Sequence, residues 1–322
     1  MGSKNILIMG GNGFVGSAVA EIAMERGDKV WYVTRGQDVP DGVKEIDVDR
    51  RKNPDDFKKQ IKACKVEWDL VVDIAGRTPE DVEQDIEVFK DRASHLVFIS
   101  SDMVYDPRKR QFPQKEDADN YWEENSGRRM RDCEMKLIDG DTGDMHWTIF
   151  RPGHIYGPGS HLGCLPLENR KPDILVKLRR HDRLKLVGGG HFLLQPLFCR
   201  DFAELILSVI GKKKSYEQVF AVAGPELIDA RTYYSVIAQI IGVDMRVEEY
   251  PIFKYRKDHP ENIAFLCHRY YDLSKLEASG LKMPSTPLRE GLAIHVASVP
   301  APPPEKISKE DKPSKHGKHR RR

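Results

Sequence analysis

A doubly wound parallel α/β sheet, completed by a smaller carboxyl-terminal domain, is the fold class this 322-residue sequence predicts. Three features predict it. A short apolar run empties into a glycine turn and then a helical pattern over residues 5–26. Strand and helix patterns keep alternating to about residue 150, and past Gly157 that alternation gives way to loops, glycines and short strands. Such alternation means parallel strands joined by right-handed helical crossovers, with ligands at the strands' carboxyl ends.

The first strand is Ile6–Met9, and Ala18, Val19, Ile22 and Ala23 mark the apolar face of the helix after it. Between them Gly10, Gly13 and Gly16 form a G-x-x-G-x-x-G pattern around Asn12, Phe14 and Val15. The first glycine permits the turn, the second lets backbone approach a pyrophosphate, and the third lets helix pack on strand. Amides at the helix start then face the phosphates, which predicts Rossmann-type dinucleotide binding over Gly10–Val15.

Gly27-Asp28 stops that helix, and Lys29–Thr34 reads as the second strand. An acidic residue at its end would hold the ribose hydroxyls of NAD; Thr34 and Arg35 stand there instead, and a guanidinium pairs with a 2′-phosphate. NADP is the expected cofactor, with NAD the alternative. Lys44–Val48 is the third strand, with Asp47 and Val48 expected to receive the adenine. A helix over Asp55–Cys64 leads to the strand Leu70–Ile74, whose end, Asp73-Ile74-Ala75-Gly76, is small enough for backbone to lie beside the cofactor. A helix over Pro79–Arg92, a strand over His95–Ser101 and a strand over His146–Phe150 complete the alternation. Residues 1–153 are thus expected to bind the dinucleotide. Residues 154–298, with helices near 201–210 and 230–241, are expected to bind substrate mainly, with segments returning to the first domain.

An apolar content of 39% suffices for a large core, and no apolar run approaches the roughly 18 to 20 residues needed to cross a membrane. No cleavable signal pattern precedes the first strand, so the cytoplasm is the expected location. Five widely spaced cysteines without a C-x-x-C pair suggest neither disulfides nor zinc, and no metal is expected. The net charge of +2 hides a split: residues 299–322 carry eight Lys/Arg against three acids, which leaves the rest mildly acidic. That Pro-rich, basic tail is expected to be disordered, and it is the one stretch suited to a polyanion.

Five separated pieces together resemble the extended short-chain dehydrogenase/reductase family, which includes nucleotide-sugar epimerases and dehydratases. They are Gly10–Gly16, Asp73–Gly76, Phe98–Tyr105, Arg151–Gly159, and Tyr271–Lys275 with Gly280. The resemblance implies a Rossmann domain with a small substrate-binding domain, commonly paired into homodimers through two helices of each subunit. It implies that Ser101 polarises the substrate, and that Ser100 and Pro152 lie beside the cofactor with Ile74, Ala75 and Gly76. The family's catalytic tyrosine and lysine fall at Ser126 and Met130, so that pair is replaced here. The loss matters because the lysine ammonium lowers the phenol pKa towards working pH, which neither a serine hydroxyl nor a thioether reproduces. Asp102, where the family's dehydratases carry an acid, and His154 and Tyr156 are the other candidates for proton transfer.

Two functions follow. One is an atypical NAD(P)-dependent enzyme of epimerase, dehydratase or reductase type acting on a nucleotide sugar or similar polar substrate, with Arg151, Arg179, Arg180, Arg183 and Arg200 available to a diphosphate. The other is a non-catalytic cofactor-binding protein: a sensor, a structural partner or an RNA-binding protein. Asp73–Arg77 and the missing pair also resemble the family's chloroplast stem-loop RNA-binding branch.

Overall fold

Seven parallel strands make the central sheet of the computed structural model, which describes residues 2–164 and 173–300. In chain order the elements of the first half are β1 (Asn5–Met9), α1 (Phe14–Glu25), β2 (Lys29–Thr34), β3 (Lys44–Asp47), α2 (Pro54–Ala63), β4 (Leu70–Asp73), α3 (Pro79–Phe89), β5 (His95–Ile99), α4 (Asn125–Ile138) and β6 (His146–Pro152). The second half holds β7 (Ile155–Tyr156), α5 (Ile174–Arg179), β8 (Arg183–Val187), β9 (Leu193–Leu194), β10 (Leu197–Phe198), α6 (Cys199–Ser208), β11 (Gln218–Val222), β12 (Ile228–Asp229), α7 (Ala230–Ile240), β13 (Arg246–Tyr250), α8 (Ile252–Asp258), α9 (Ser274–Ser279) and α10 (Leu288–Ser298). The sheet order is β11-β6-β5-β4-β1-β2-β3, so the expected Rossmann-type α/β fold is the one observed.

Side-chain alternation along the strands builds a core on each face. Ile6 and Ile8 join Val19, Tyr32, Val72 and Phe202 on the face covered by α1 and α6, while Leu7 and Met9 join Phe57, Phe89, Phe98 and Leu137 on the face covered by α2, α3 and α4. Each such side chain contributes about 1.5 to 3 kcal/mol on burial, which makes the β1 register costly to slip. β11 returns from the second half to pair with β6, and the remaining short strands form the pairs β10-β7, β12-β9 and β13-β8.

The order reverses at β1, which lies between β2 and β4, and a crevice opens there at the carboxyl ends of the strands. Among the described residues no helix is long and apolar enough to cross a membrane, and no three His, Cys, Asp or Glu side chains group as metal ligands. All five cysteines are free thiols. The basic tail, from residue 301 onward, lies outside the described residues.

Candidate functional site

The crevice begins at the glycine turn. Gly10 has φ +91°, a conformation only glycine adopts without strain, and its carbonyl accepts the Gly13 N–H at 3.1 Å. A Cβ on Gly16 would lie 2.4 Å from the Gly10 carbonyl oxygen, so the third glycine is demanded by the contact of helix with turn. Gly13 differs: its φ is −78° and an added Cβ would meet nothing closer than 3.4 Å. The protein tolerates a side chain there; what the glycine keeps open is the cleft. Gly13 also gives α1 no side-chain cap, and no described residue accepts the amides of Phe14, Val15 and Gly16. Two of these donors, those of Phe14 and Val15, therefore belong to residues at the positive end of a helix dipole that line a cleft of about 620 Å³, together with Gly10 to Gly13, Thr34, Arg35, Val48, Ile74 and Ala75. These residues fit a dinucleotide: free amides for the pyrophosphate and backbone bare enough for close approach.

At the far end of the cleft one expectation needs correction. Asp47 does not line it, because its Oδ1 accepts the Gly36 N–H at 2.7 Å; Val48, Asp49, Arg50 and Arg51 reach the cleft instead. Thr34 lines it with its hydroxyl donating to Glu45 at 2.6 Å. Beneath β4, Asp73 Oδ1 accepts the amides of Ala75 and Gly76 at 2.8 and 2.7 Å, and a Cβ on Gly76 would fall 2.5 Å from Asp73 Oδ2. Gly76 therefore shapes the turn under the cleft rather than its wall. Arg50 is buried between Asp73, Asp85 and Asp81. Asp73, despite its burial, is held ionised by that guanidinium, whereas burial and the Asp73 charge push Asp85 up.

The Ser101 end is built differently. Ser101 Oγ accepts the Met103 N–H at 3.2 Å and so caps the short 3-10 turn Asp102–Val104, and its own hydrogen has no acceptor among the described residues. A Cβ on Gly127 would lie 2.4 Å from the Met103 carbonyl oxygen, so the first turn of α4, with Ser126, presses directly on that segment. Met130 stands one turn on, packed half-buried against the cluster that holds Phe98 and Cys133. Residues four apart share a helix face, as the sequence register expects.

The other groups proposed for chemistry are closed off. Asp102 is buried, and its Oδ2 receives Arg110 Nη2 at 2.8 Å, Arg269 Nε at 2.9 Å and the Tyr271 hydroxyl at 2.8 Å. Burial would raise its pKa, but the two guanidinium charges hold it below the usual carboxylate range, so it is no proton donor near neutrality. His154 keeps Nε2 sealed without a partner among the described residues, and burial with Arg269 nearby lowers its pKa to about 4. Tyr156 is a core residue against Phe198, Tyr233 and Gly291, its pKa raised by burial. Ser100 donates to Glu134 at 2.6 Å inside the protein, away from the open cleft, and Pro152 is buried at the end of β6.

Arg151 is not available to a diphosphate. Glu134 holds it through two bonds of 2.8 and 2.7 Å, and it donates to the Tyr105 hydroxyl at 2.8 Å. Arg200 pairs with Glu21 and Glu25 on α1, while Arg179, Arg180 and Arg183 are exposed on and after α5. Sequence reasoning missed Arg51 and its anchor Asp81; the tandem Arg50-Arg51 after β3, with acids at 81 and 85 on an otherwise apolar helix face, was the available signal.

Comparison with known proteins places this geometry. The chloroplast stem-loop binding protein of 41 kDa b from Arabidopsis thaliana is 26% identical over 244 residues, a match covering 70% of this chain and 60% of that protein. The chain thus spans about 60% of that relative's length. UDP-glucose 4-epimerase of Thermotoga maritima, solved with UDP-glucose, superposes with a TM-score of 0.72 at 18% identity over 91% of this chain and 98% of that one. UDP-N-acetylglucosamine 4-epimerase of Methanobrevibacter ruminantium, solved with UDP-N-acetylmuramic acid, gives 0.72 at 17% identity over 92% and 98%. At these identities the two structures establish likeness of fold. A family model described as the NAD dependent epimerase/dehydratase family matches residues 6–223, and it is to this family that the chain belongs.

Proposed function

We propose that the chain binds a nicotinamide dinucleotide in the glycine-turn cleft and uses it on a nucleotide-linked sugar or similar polar substrate, without the family's tyrosine and lysine. One observation carries the reading: the amides of Phe14 and Val15, accepted by no described residue, belong to the lining of a cleft that Gly13 keeps clear. Gly10 to Val15 hold the pyrophosphate, and Arg35, which makes no ion pair with a described residue, favours NADP over NAD. A bound nicotinamide supplies hydride exchange. The Ser101 hydroxyl, whose hydrogen has no acceptor among the described residues, polarises the substrate oxygen, and Ser126 lies on the helix turn packed beside it. The nucleotide-linked substrate draws on family membership and on the ligands of the two similar epimerases.

A second reading, cofactor binding without hydride chemistry, is favoured by the closure of Asp102, His154 and Tyr156, none of which exchanges a proton near neutral pH. One experiment separates the two. Wild type and a Ser126→Tyr/Met130→Lys variant are mixed with dinucleotide and a panel of UDP-sugars, and absorbance of the reduced nicotinamide is followed in single turnovers. A slow signal in wild type, increased in the variant, is expected, with dinucleotide affinity kept within about tenfold. Absence of signal in both, with dinucleotide still bound, leaves the binding reading standing. No saturable binding of either dinucleotide defeats both.

A further inference from the structure

Under the β4 side of the cleft lies a group of charges that do not cancel. Arg50 spreads one guanidinium over two carboxyls: Nη1 donates to Asp85 Oδ1 at 2.5 Å and Nη2 to Asp73 Oδ2 at 2.9 Å. Both aspartates are fully buried. Asp81, from α3, stands 3.9 Å from the same guanidinium and is itself held by Arg51. From α4 comes the Cys133 thiol, which burial with the Asp81 and Asp73 charges pushes up to about 12, so it stays neutral. Three acids thus face two bases, and full ionisation would leave one negative charge in the core with no counterion and no water.

Asp85 is the place where that charge is relieved. Its Oδ2 is sealed with no partner among the described residues, a costly position for an ionised oxygen. Asp73 and Asp85 also lie within hydrogen-bonding contact of each other, which two carboxylates cannot use and an acid with a carboxylate can. Asp73 is the partner that keeps the negative charge, because its Oδ1 already accepts the amides of Ala75 and Gly76.

The pair is joined to the cleft through Arg50 and Ala75, both of which line it. The lining itself holds no His, Lys, Cys or Tyr. Its ionisable groups are arginines and Asp49, whose carboxyl, despite some desolvation, the Lys52 and Arg51 amides hold below the usual range. No lining side chain therefore changes charge between about pH 6 and pH 9.

We propose that Asp73 and Asp85 share one proton beneath the cleft and that dinucleotide binding is linked to it: with the proton the cluster is neutral and receives the anionic pyrophosphate, and without it a negative charge lies under the ligand. The linkage rests on the dinucleotide reading of the cleft; the shared proton does not.

Infrared spectroscopy of the full chain tests the proton, and titration with NAD tests the linkage. NAD is the probe because the 2′-phosphate of NADP itself titrates at about pH 6. A protonated-carboxyl band is expected at neutral pH. It should vanish in Asp85→Asn and persist in Glu116→Gln, which removes the other described carboxyl that burial raises. Wild-type affinity for NAD should fall about threefold to tenfold between pH 6 and pH 9, along the same curve as the band. In Asp85→Asn, whose amide reproduces the protonated acid, the affinity should vary by less than about twofold. No band in wild type, or a band that survives in Asp85→Asn, overturns the shared proton. A band with pH-independent affinity overturns the linkage and leaves the dinucleotide reading standing. Should Asp85→Asn fail to fold, the wild-type curves decide: separate midpoints for band and affinity overturn the linkage. Failure of both dinucleotides to bind at any pH overturns the linkage together with the dinucleotide reading.

Discussion

At the glycine-turn end of the crevice several polar groups have no partner among the described residues, whereas at the Ser101 end charged groups are closed into buried pairs. The amides of Phe14 and Val15 and the guanidinium of Arg35 belong to the first kind. Asp102 with Arg110 and Arg269, and Glu134 with Arg151 and Arg131, belong to the second. The difference has a physical basis. A charge removed from water must be matched by the protein itself, so a matched buried charge serves the fold, while an unmatched group at a cleft serves a ligand. The glycine-turn end is open, and much of the Ser101 end is closed into structure.

The comparison breaks most visibly at Glu134. If its four donors make it a structural node, Glu134→Gln should destabilise the protein by about 3 to 5 kcal/mol, read as a shifted denaturant midpoint, because Arg151 is left buried and unmatched. A loss below about 1 kcal/mol would mean that Arg151 is free to serve a ligand after all.

The opposite behaviour is expected at Gly13. A Cβ there meets nothing closer than 3.4 Å and the backbone is permissible, so in a Gly13→Val chain the midpoint should move by less than about 1 kcal/mol, while dinucleotide affinity falls at least a hundredfold, about 2.7 kcal/mol. Retained binding in a well-folded Gly13→Val chain would show that the pyrophosphate does not cross the turn.

His154 sharpens the contrast through pH. Its ordinary pKa of 6.5 is lowered to about 4 by burial and Arg269. Between those values the unfolded chain takes up a proton that the folded chain refuses, so stability falls as pH drops from 6.5 towards 4 and this contribution changes little below. At pH 5 the loss amounts to about 2 kcal/mol on the order-of-magnitude scale of 1.4 kcal/mol per unit. His154→Gln should remove that part of the slope between pH 7 and pH 5, leaving the parts due to His95, which burial lowers to about 3, and to His295, which burial also lowers. Identical slopes in the two proteins would place His154 in contact with solvent and return it to the candidates for chemistry.

The strand, glycine turn and helix of residues 5–25 and the parallel alternation were legible in the sequence, because each is a local pattern of period or spacing. Gly10, Gly13 and Gly16 carry their requirement in their own missing side chains, and Gly127 sets the register through one contact with a neighbouring turn. Charge availability was not legible. Asp102, Arg151, His154 and Tyr156 looked alike in sequence, polar groups at the ends of predicted strands, and only packing decided that Asp102, Arg151 and Tyr156 are buried and that His154, half-buried, has its Nε2 sealed. Asp47 and Arg51 exchanged their expected standing for the same reason: one found the Gly36 amide, the other Asp81. Asp102 meets Arg269 across 167 positions and Arg151 meets Tyr105 across 46. No local period records such a meeting; it exists only once the sheet and its two cores have brought distant segments together and removed the water between them.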